Sequence, residues 1–195
     1  MSVNAINVDS AGTELAKPAT YAGVYSVTVR QSTAASAGVI VWGLNNPTGS
    51  GKTVLVRSSA FQMYFDGTAA ATLMKYEMVK YTGVTAFSGG SAVTAMHKRT
   101  SLAGAVAAVA RVLDTGLTAT SGTAQAIVPL GAMGRVTQTT TNFQSTWTMP
   151  LAPNERGTLN AMAIELAPGE LLAIRPTVTC VIGDNIVGYI ETAEY

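Results

Sequence analysis

The chain has 195 residues, 48% of them hydrophobic and 12% charged, with twelve lysines and arginines against eleven aspartates and glutamates for a net charge of +1. That length suits one all-β domain able to bury most of its unfolded surface without staples. The only adjacent basic pair is Lys98–Arg99, too little positive charge to expect a nucleic acid partner. No apolar run approaches the ~18 residues of a membrane helix, so a soluble protein with no membrane partner is expected.

A charged share about half the usual ~25% suggests that some surface is covered by neighbours, which predicts a homo-oligomer. Met1-Ser2-Val3-Asn4-Ala5 lacks a basic stretch leading into an apolar core, so synthesis in a cytoplasm is expected.

Residues 1–20 mix Asn, Asp, Gly and Lys17-Pro18 without periodicity and read as an N-terminal arm; residues 21–195 read as a single domain. From Ala22, the series Val24, Ser26, Thr28 alternates with Tyr25, Val27, Val29, the pattern of a strand. Ala37 to Trp42 reads as a second strand, and Leu44 to Gly51 as a loop. A long strand from Thr53 to Phe65, bent near Ser58-Ser59, runs to the turn Asp66-Gly67 and returns as Leu73 to Tyr81. Gly89-Gly90 marks a turn before Ala92 to Lys98.

Residues 102–113 fit either a helix (Leu102, Val106, Val109, Leu113) or an edge strand (Val106, Ala108, Ala110, Val112), and Gly104 favours the extended form. Thr115 to Ala124 reads as a loop, and Arg135 to Met149 as a long, bent strand. Leu159 to Leu166, Leu171 to Arg175, Thr177 to Ile182 and Ile186 to Ile190 complete the strand set. Many short strands punctuated by turns predict an all-β antiparallel β-sandwich or jelly roll.

Several residues invite chemistry. Gly49-Ser50-Gly51-Lys52-Thr53 ends like a phosphate-binding loop, but Asn46 stands where that loop has its first glycine. A strand pattern, Val54-Leu55-Val56-Arg57, follows where a helix N-terminus would hold the anion. Asp66 and Asp114 have the wrong surroundings to hold magnesium, so a glycine-rich hairpin connection is the preferred reading.

Cys180 is the lone cysteine and His97 the lone histidine. The first reads as a small buried hydrophobe and the second, beside Lys98 and Arg99, as a surface or interface residue. Trp42, Trp147, Phe61, Phe65, Tyr64 and Phe143 could stack sugars, yet in strand patterns they read as core; Tyr189 and Tyr195 are more open to an interface. The residues predict no enzyme, no catalytic or metal-binding set and no cofactor.

Three stretches carry a resemblance. The arm Asn4-Ala5-Ile6-Asn7-Val8-Asp9-Ser10-Ala11-Gly12, the turn and strand Asn45-Asn46-Pro47-Thr48-Gly49-Ser50-Gly51-Lys52-Thr53-Val54-Leu55-Val56-Arg57, and Leu166 to Arg175 with Gly188-Tyr189-Ile190-Glu191 resemble virion structural proteins of tailed bacteriophages. They are most similar to head decoration, or cement, jelly-roll modules. The resemblance implies a homotrimer on the capsid surface of the virion, bound to the major capsid protein and stabilising the shell. The alternative is a phage tail or head-fibre module that binds a receptor or carbohydrate. No site residue is carried over.

Overall fold

A computed structural model describes residues 23–31, 34–65, 72–97, 107–112, 116–135, 143–149, 164–181 and 183–194. The arm 1–20, the turn Asp66-Gly67, and the loop 152–157 lie outside them. The described residues are all-β, without a helix, and form antiparallel sheets packed as a sandwich.

The first sheet has β1 (Gly23–Gln31), β3 (Val54–Phe65), β7 (Met96–His97), β11 (Phe143–Met149) and β14 (Asp184–Glu194) in the order β11-β3-β14-β1-β7, with β12 (Ile164–Leu166) also on β3. The second has β2 (Trp42–Asn46), β4 (Thr72–Thr82), β6 (Ser91–Val93), β8 (Val109–Val112), β10 (Thr123–Arg135) and β13 (Glu170–Pro176) in the order β10-β4-β13-β2-β8-β6. A small third sheet joins β5 (Ala86–Ser88) to β9 (Thr118–Thr120).

The chain steps from one large sheet to the other between β1 and β2, β2 and β3, β3 and β4, β6 and β7, β7 and β8, β10 and β11, β12 and β13, and β13 and β14. The order β1-β14-β3-β11 in the first sheet runs parallel to the order β2-β13-β4-β10 in the second.

Alternation explains the core. Met74, Tyr76 and Met78 of β4 and Leu172 and Ile174 of β13 point inward with Trp42 and Leu44 of β2. Val54, Val56, Phe61, Met63 and Phe65 of β3, with Ile186 and Ile190 of β14, supply the facing layer. Trp42 is fully buried, and truncation of such a side chain to Ala typically costs about 3–5 kcal/mol.

In β3 the inward positions change parity, from Val54 and Val56 to Ser59, Phe61, Met63 and Phe65. The register against β14 shows why: Ser58 opposes Glu191 and Val56 opposes Thr192, leaving Arg57 as the extra residue of a β-bulge. The bend expected near Ser58-Ser59 is this bulge. The outer strand β10 carries Pro129 and two register shifts, features that suit a sheet edge.

Three sequence expectations need correction. The second strand covers Trp42–Asn46, not Ala37 to Trp42. Gly38 adopts φ +81, and the Asn45 and Asn46 side chains bond backbone carbonyls, which lets asparagines end a buried strand. Thr115 to Ala124 is not simply a loop, because β9 and the start of β10 lie in it; pairing with Ala86–Ser88 and with β4 outweighs its bland composition. Thr177 to Ile182 is not a strand: the described part forms a bend and one bridge, Ala35 to Cys180, closed by the Val181–Asp184 turn. Within 102–113, residues 109–112 are extended, as β8.

Candidate interaction surface

Most of the described ion pairs hold the sandwich together. The connection between β2 and β3 is a turn with Gly49 at φ +83 and Gly51 at φ +66, conformations that glycine adopts without strain. The Asn46 amide closes it, donating to the carbonyls of Lys52 at 2.7 Å and Leu166 at 2.8 Å. Lys52 is thereby aimed at Glu194, with Nζ 3.1 Å from Oε2.

Glu194 is fully buried and also accepts the backbone N–H groups of Ala107 and Ala108 at 2.9 and 3.0 Å. Tyr25, buried beside this cluster, has its phenol pKa pushed up, first by burial and then by the Glu194 charge, with Lys52 opposing. The Gly-Ser-Gly-Lys motif thus works as the clamp of a hairpin connection, and a strand follows it.

A second cluster lies on the outer face of the other sheet. Arg175 bonds Glu77 through Nε and Tyr81 Oη through Nη1 at 3.0 Å. Burial alone would lower the Arg175 pKa, but the hydrogen bond to Glu77 and the neighbouring groups raise it. Lys80 shares parity with the inward Met74, Tyr76 and Met78, so its pair with Glu170 at 2.8 Å and its bond to the Glu165 carbonyl of β12 at 2.7 Å lie toward the first sheet instead.

This sheet also carries a cover made by the chain itself. A Cβ added to Gly43 would lie 2.5 Å from Phe87 Cζ, so the β5–β9 pair presses its phenylalanine onto β2, above buried Val79, Leu171 and Ala173.

The other residues singled out from sequence disperse. Cys180 is buried, and its thiol donates to Tyr76 Oη at 3.3 Å. The His97 backbone pairs with Tyr25 in β7, whereas Cys180 bridges Ala35; the His97 side chain is outside the described residues. Among the described residues, no three metal-binding side chains gather. Trp42, Phe61 and Phe65 are core. Phe143 and Trp147 lie in β11 by backbone, their side chains outside the described set, as is Tyr195.

What remains is the outer face of the first sheet. Its register sets Tyr189 beside Ala60, Val187 beside Gln62, and Met96 and Glu191 on either side of Ser26. Tyr189 is 44% exposed, Met96 is 70% exposed, and Tyr64 on the same face is half-buried. Among the described side chains of this face the one charged group is Glu191. Arg30 of β1 stands opposite Val187 in the register, its side chain outside the described residues, and the exposed Tyr189 and Met96 are residue types enriched in interface cores.

Sequence reasoning marked Tyr189 as open to an interface but missed the Lys52–Glu194 clamp. The signal was present: Glu194 shares parity with the inward Ile186 and Ile190, so alternation puts a carboxylate inside. No protein-family model, curated protein or solved structure matches the chain.

Proposed function

We propose that the chain is a virion structural protein, a decoration protein that sits on the outside of a capsid shell as a homotrimer and stabilises the particle. The observation that carries the reading is the pair of exposed side chains Tyr189 and Met96 on the outer face of the first sheet, on a sandwich whose described ion pairs are largely used internally. Tyr and Met are residue types enriched where proteins associate.

The order of the ribbons adds support. The order β1-β14-β3-β11 in one sheet and β2-β13-β4-β10 in the other supports a jelly-roll reading of the sandwich. That architecture serves viral capsid proteins, and also lectins and cupins, so the fold alone does not choose among them. The action would be mechanical: each copy bridges shell subunits, and the contacts made only in the assembled state oppose its expansion or dissociation. The major capsid protein is then the foreign partner.

Tyr64 and Tyr189 on one face favour a second reading, a tail or head-fibre module that binds a receptor or carbohydrate. Immunogold labelling of particles from the source culture, with antibody against this chain, separates the two. Gold over the head shell is the expected result. Gold confined to tail or fibre tips would favour the second reading, and unlabelled particles would overturn both.

A further inference from the structure

We infer that the runs 72–93 and 109–135 are one long antiparallel ribbon, and that its outer part, β5–β9 with β6–β8, is a strap that opens from the sandwich as a unit and bares the edge of β2. The inference concerns motion within the chain and stands whether or not the chain decorates a shell.

The register shows the ribbon. Leu73 faces Gly134 and Thr82 faces Thr123 in β4–β10; Ala86 faces Thr120 and Ser88 faces Thr118 in β5–β9; Ser91 faces Val112 and Val93 faces Ala110 in β6–β8. One run ascends as the other descends through all three pairs, as in a single hairpin. In the second sheet the first and last pairs lie on opposite flanks of β13 and β2, in the order β10-β4-β13-β2-β8-β6. The middle pair crosses between the flanks over the outer face, where Phe87 meets Gly43 beside Leu171.

The corners suit bending. Gly83, Val84 and Thr85 on one run answer Ser121 and Gly122 on the other. Gly83 has φ +70, and Ser121, at φ 63, holds a left-handed conformation that side chains resist. At the far corner a Cβ added to Gly90 would lie 2.0 Å from the Val112 carbonyl oxygen, so glycine is what lets the ribbon return to the sheet there.

The strap is lightly fastened. Its crossing pair forms a sheet of its own and shares no ladder with β2 or β13 beneath it. Ala86, Ser88, Thr118 and Thr120 of that pair are exposed, and Phe87 is the large side chain it turns inward. Val84 and Leu117 are buried at its ends, and Glu194 holds the N–H groups of Ala107 and Ala108 ahead of β8. The ladder from β8 to β2 is short, from Trp42 opposite Val112 to Asn45 opposite Val109, whereas β4 is laddered on both sides, to β10 and to β13. A short ladder and one ring, set against those long ladders, put the strap at the low-stability end of the fold. Once open, it leaves Trp42–Asn46 as an edge whose free backbone groups can take an antiparallel strand.

Amide hydrogen exchange of the full chain, followed peptide by peptide by mass spectrometry, tests this. Strands β5, β6, β8 and β9 should exchange together, about tenfold or more faster than β3, β4, β13 and β14. Phe87→Ala should quicken all four strap strands by about a further tenfold and leave the slower set unchanged. If Phe87→Ala does not fold, Gly43→Ala, which displaces the ring from the other side, takes its place.

Strap strands that exchange with the slower set overturn the inference, as do strap strands that exchange at unrelated rates. Quickening confined to β5 and β9 would show that the crossing frays alone, and also overturns it. Equal quickening of every strand would mean global unfolding and does the same.

Discussion

Lys52 and Glu194 lie 142 positions apart and meet at 3.1 Å, a half-buried ammonium reaching a fully buried carboxylate. Glu194 also receives two backbone N–H groups ahead of β8, so one side chain ties together the last strand, the β2–β3 turn and the lead into β8. Glu194→Gln should cost about 2–4 kcal/mol in urea unfolding, because an amide cannot satisfy three donors in a buried site. Lys52→Met should cost less, about 1–2 kcal/mol, since its carboxylate partner keeps the backbone donors.

The same pairing bears on nucleotides. The Lys52 ammonium is directed to Glu194, and Thr53 leads into β3, which offers no helix N-terminus to a phosphate. Calorimetric titration with ATP and magnesium should give no binding heat. A micromolar dissociation constant that Lys52→Ala abolishes would defeat the structural reading of the glycine-rich turn.

Tyr25 supplies a pH dependence. Its folded pKa is raised above the ordinary 10.0, chiefly by burial, so the folded state holds the phenol proton more tightly than the unfolded chain does. The associated stability is fully present below pH 10 and is lost as pH rises through the folded value. Unfolding midpoints measured from pH 8 upward, over about three units, should fall at the alkaline end. Tyr25→Phe should flatten that fall relative to wild type; an unchanged slope would show that other tyrosines govern it.

Two glycines differ in what a methyl group would meet. At Gly188 an added Cβ would lie 2.0 Å from the Ala60 carbonyl oxygen, and paired backbone cannot yield without breaking register. At Gly43 the first obstacle is the tip of Phe87, a side chain able to swing away. Gly188→Ala should therefore destabilise by about 3 kcal/mol, and Gly43→Ala by about 1 kcal/mol with faster amide exchange in β5 and β9. Equal costs at the two sites would contradict the contrast.

The fold was legible in the sequence where alternation is long, as in β1, β3 and β4, and where a short apolar run is bounded by turn residues, as in β13. It failed where tertiary partners decide. Asn45 and Asn46 look like loop residues until their amides find the carbonyls of Glu170, Lys52 and Leu166. Thr118–Thr120 forms a strand because Ala86–Ser88 lies alongside, which no local pattern announces. Of the candidate surface only Tyr189 was foreseen. Its companions Ala60, Gln62 and Val187 are ordinary strand residues, and their grouping depends on the β3–β14 register, set by residues more than a hundred positions apart.

The bulge at Arg57 makes β3 two strands in series. Val54 to Val56 pairs with β12, Ser59 to Phe65 pairs with β11, and the extra residue sits between the two. Because it is the extra residue that reverses parity, removing Arg57 would restore unbroken alternation from Val54 to Phe65 and leave every described side chain on its present face. An added residue elsewhere in either half would turn the remainder inside out. A length change that is ruinous along most of this strand is thus tolerable by pattern at one position, and the two halves are free to diverge in sequence and partner on either side of it.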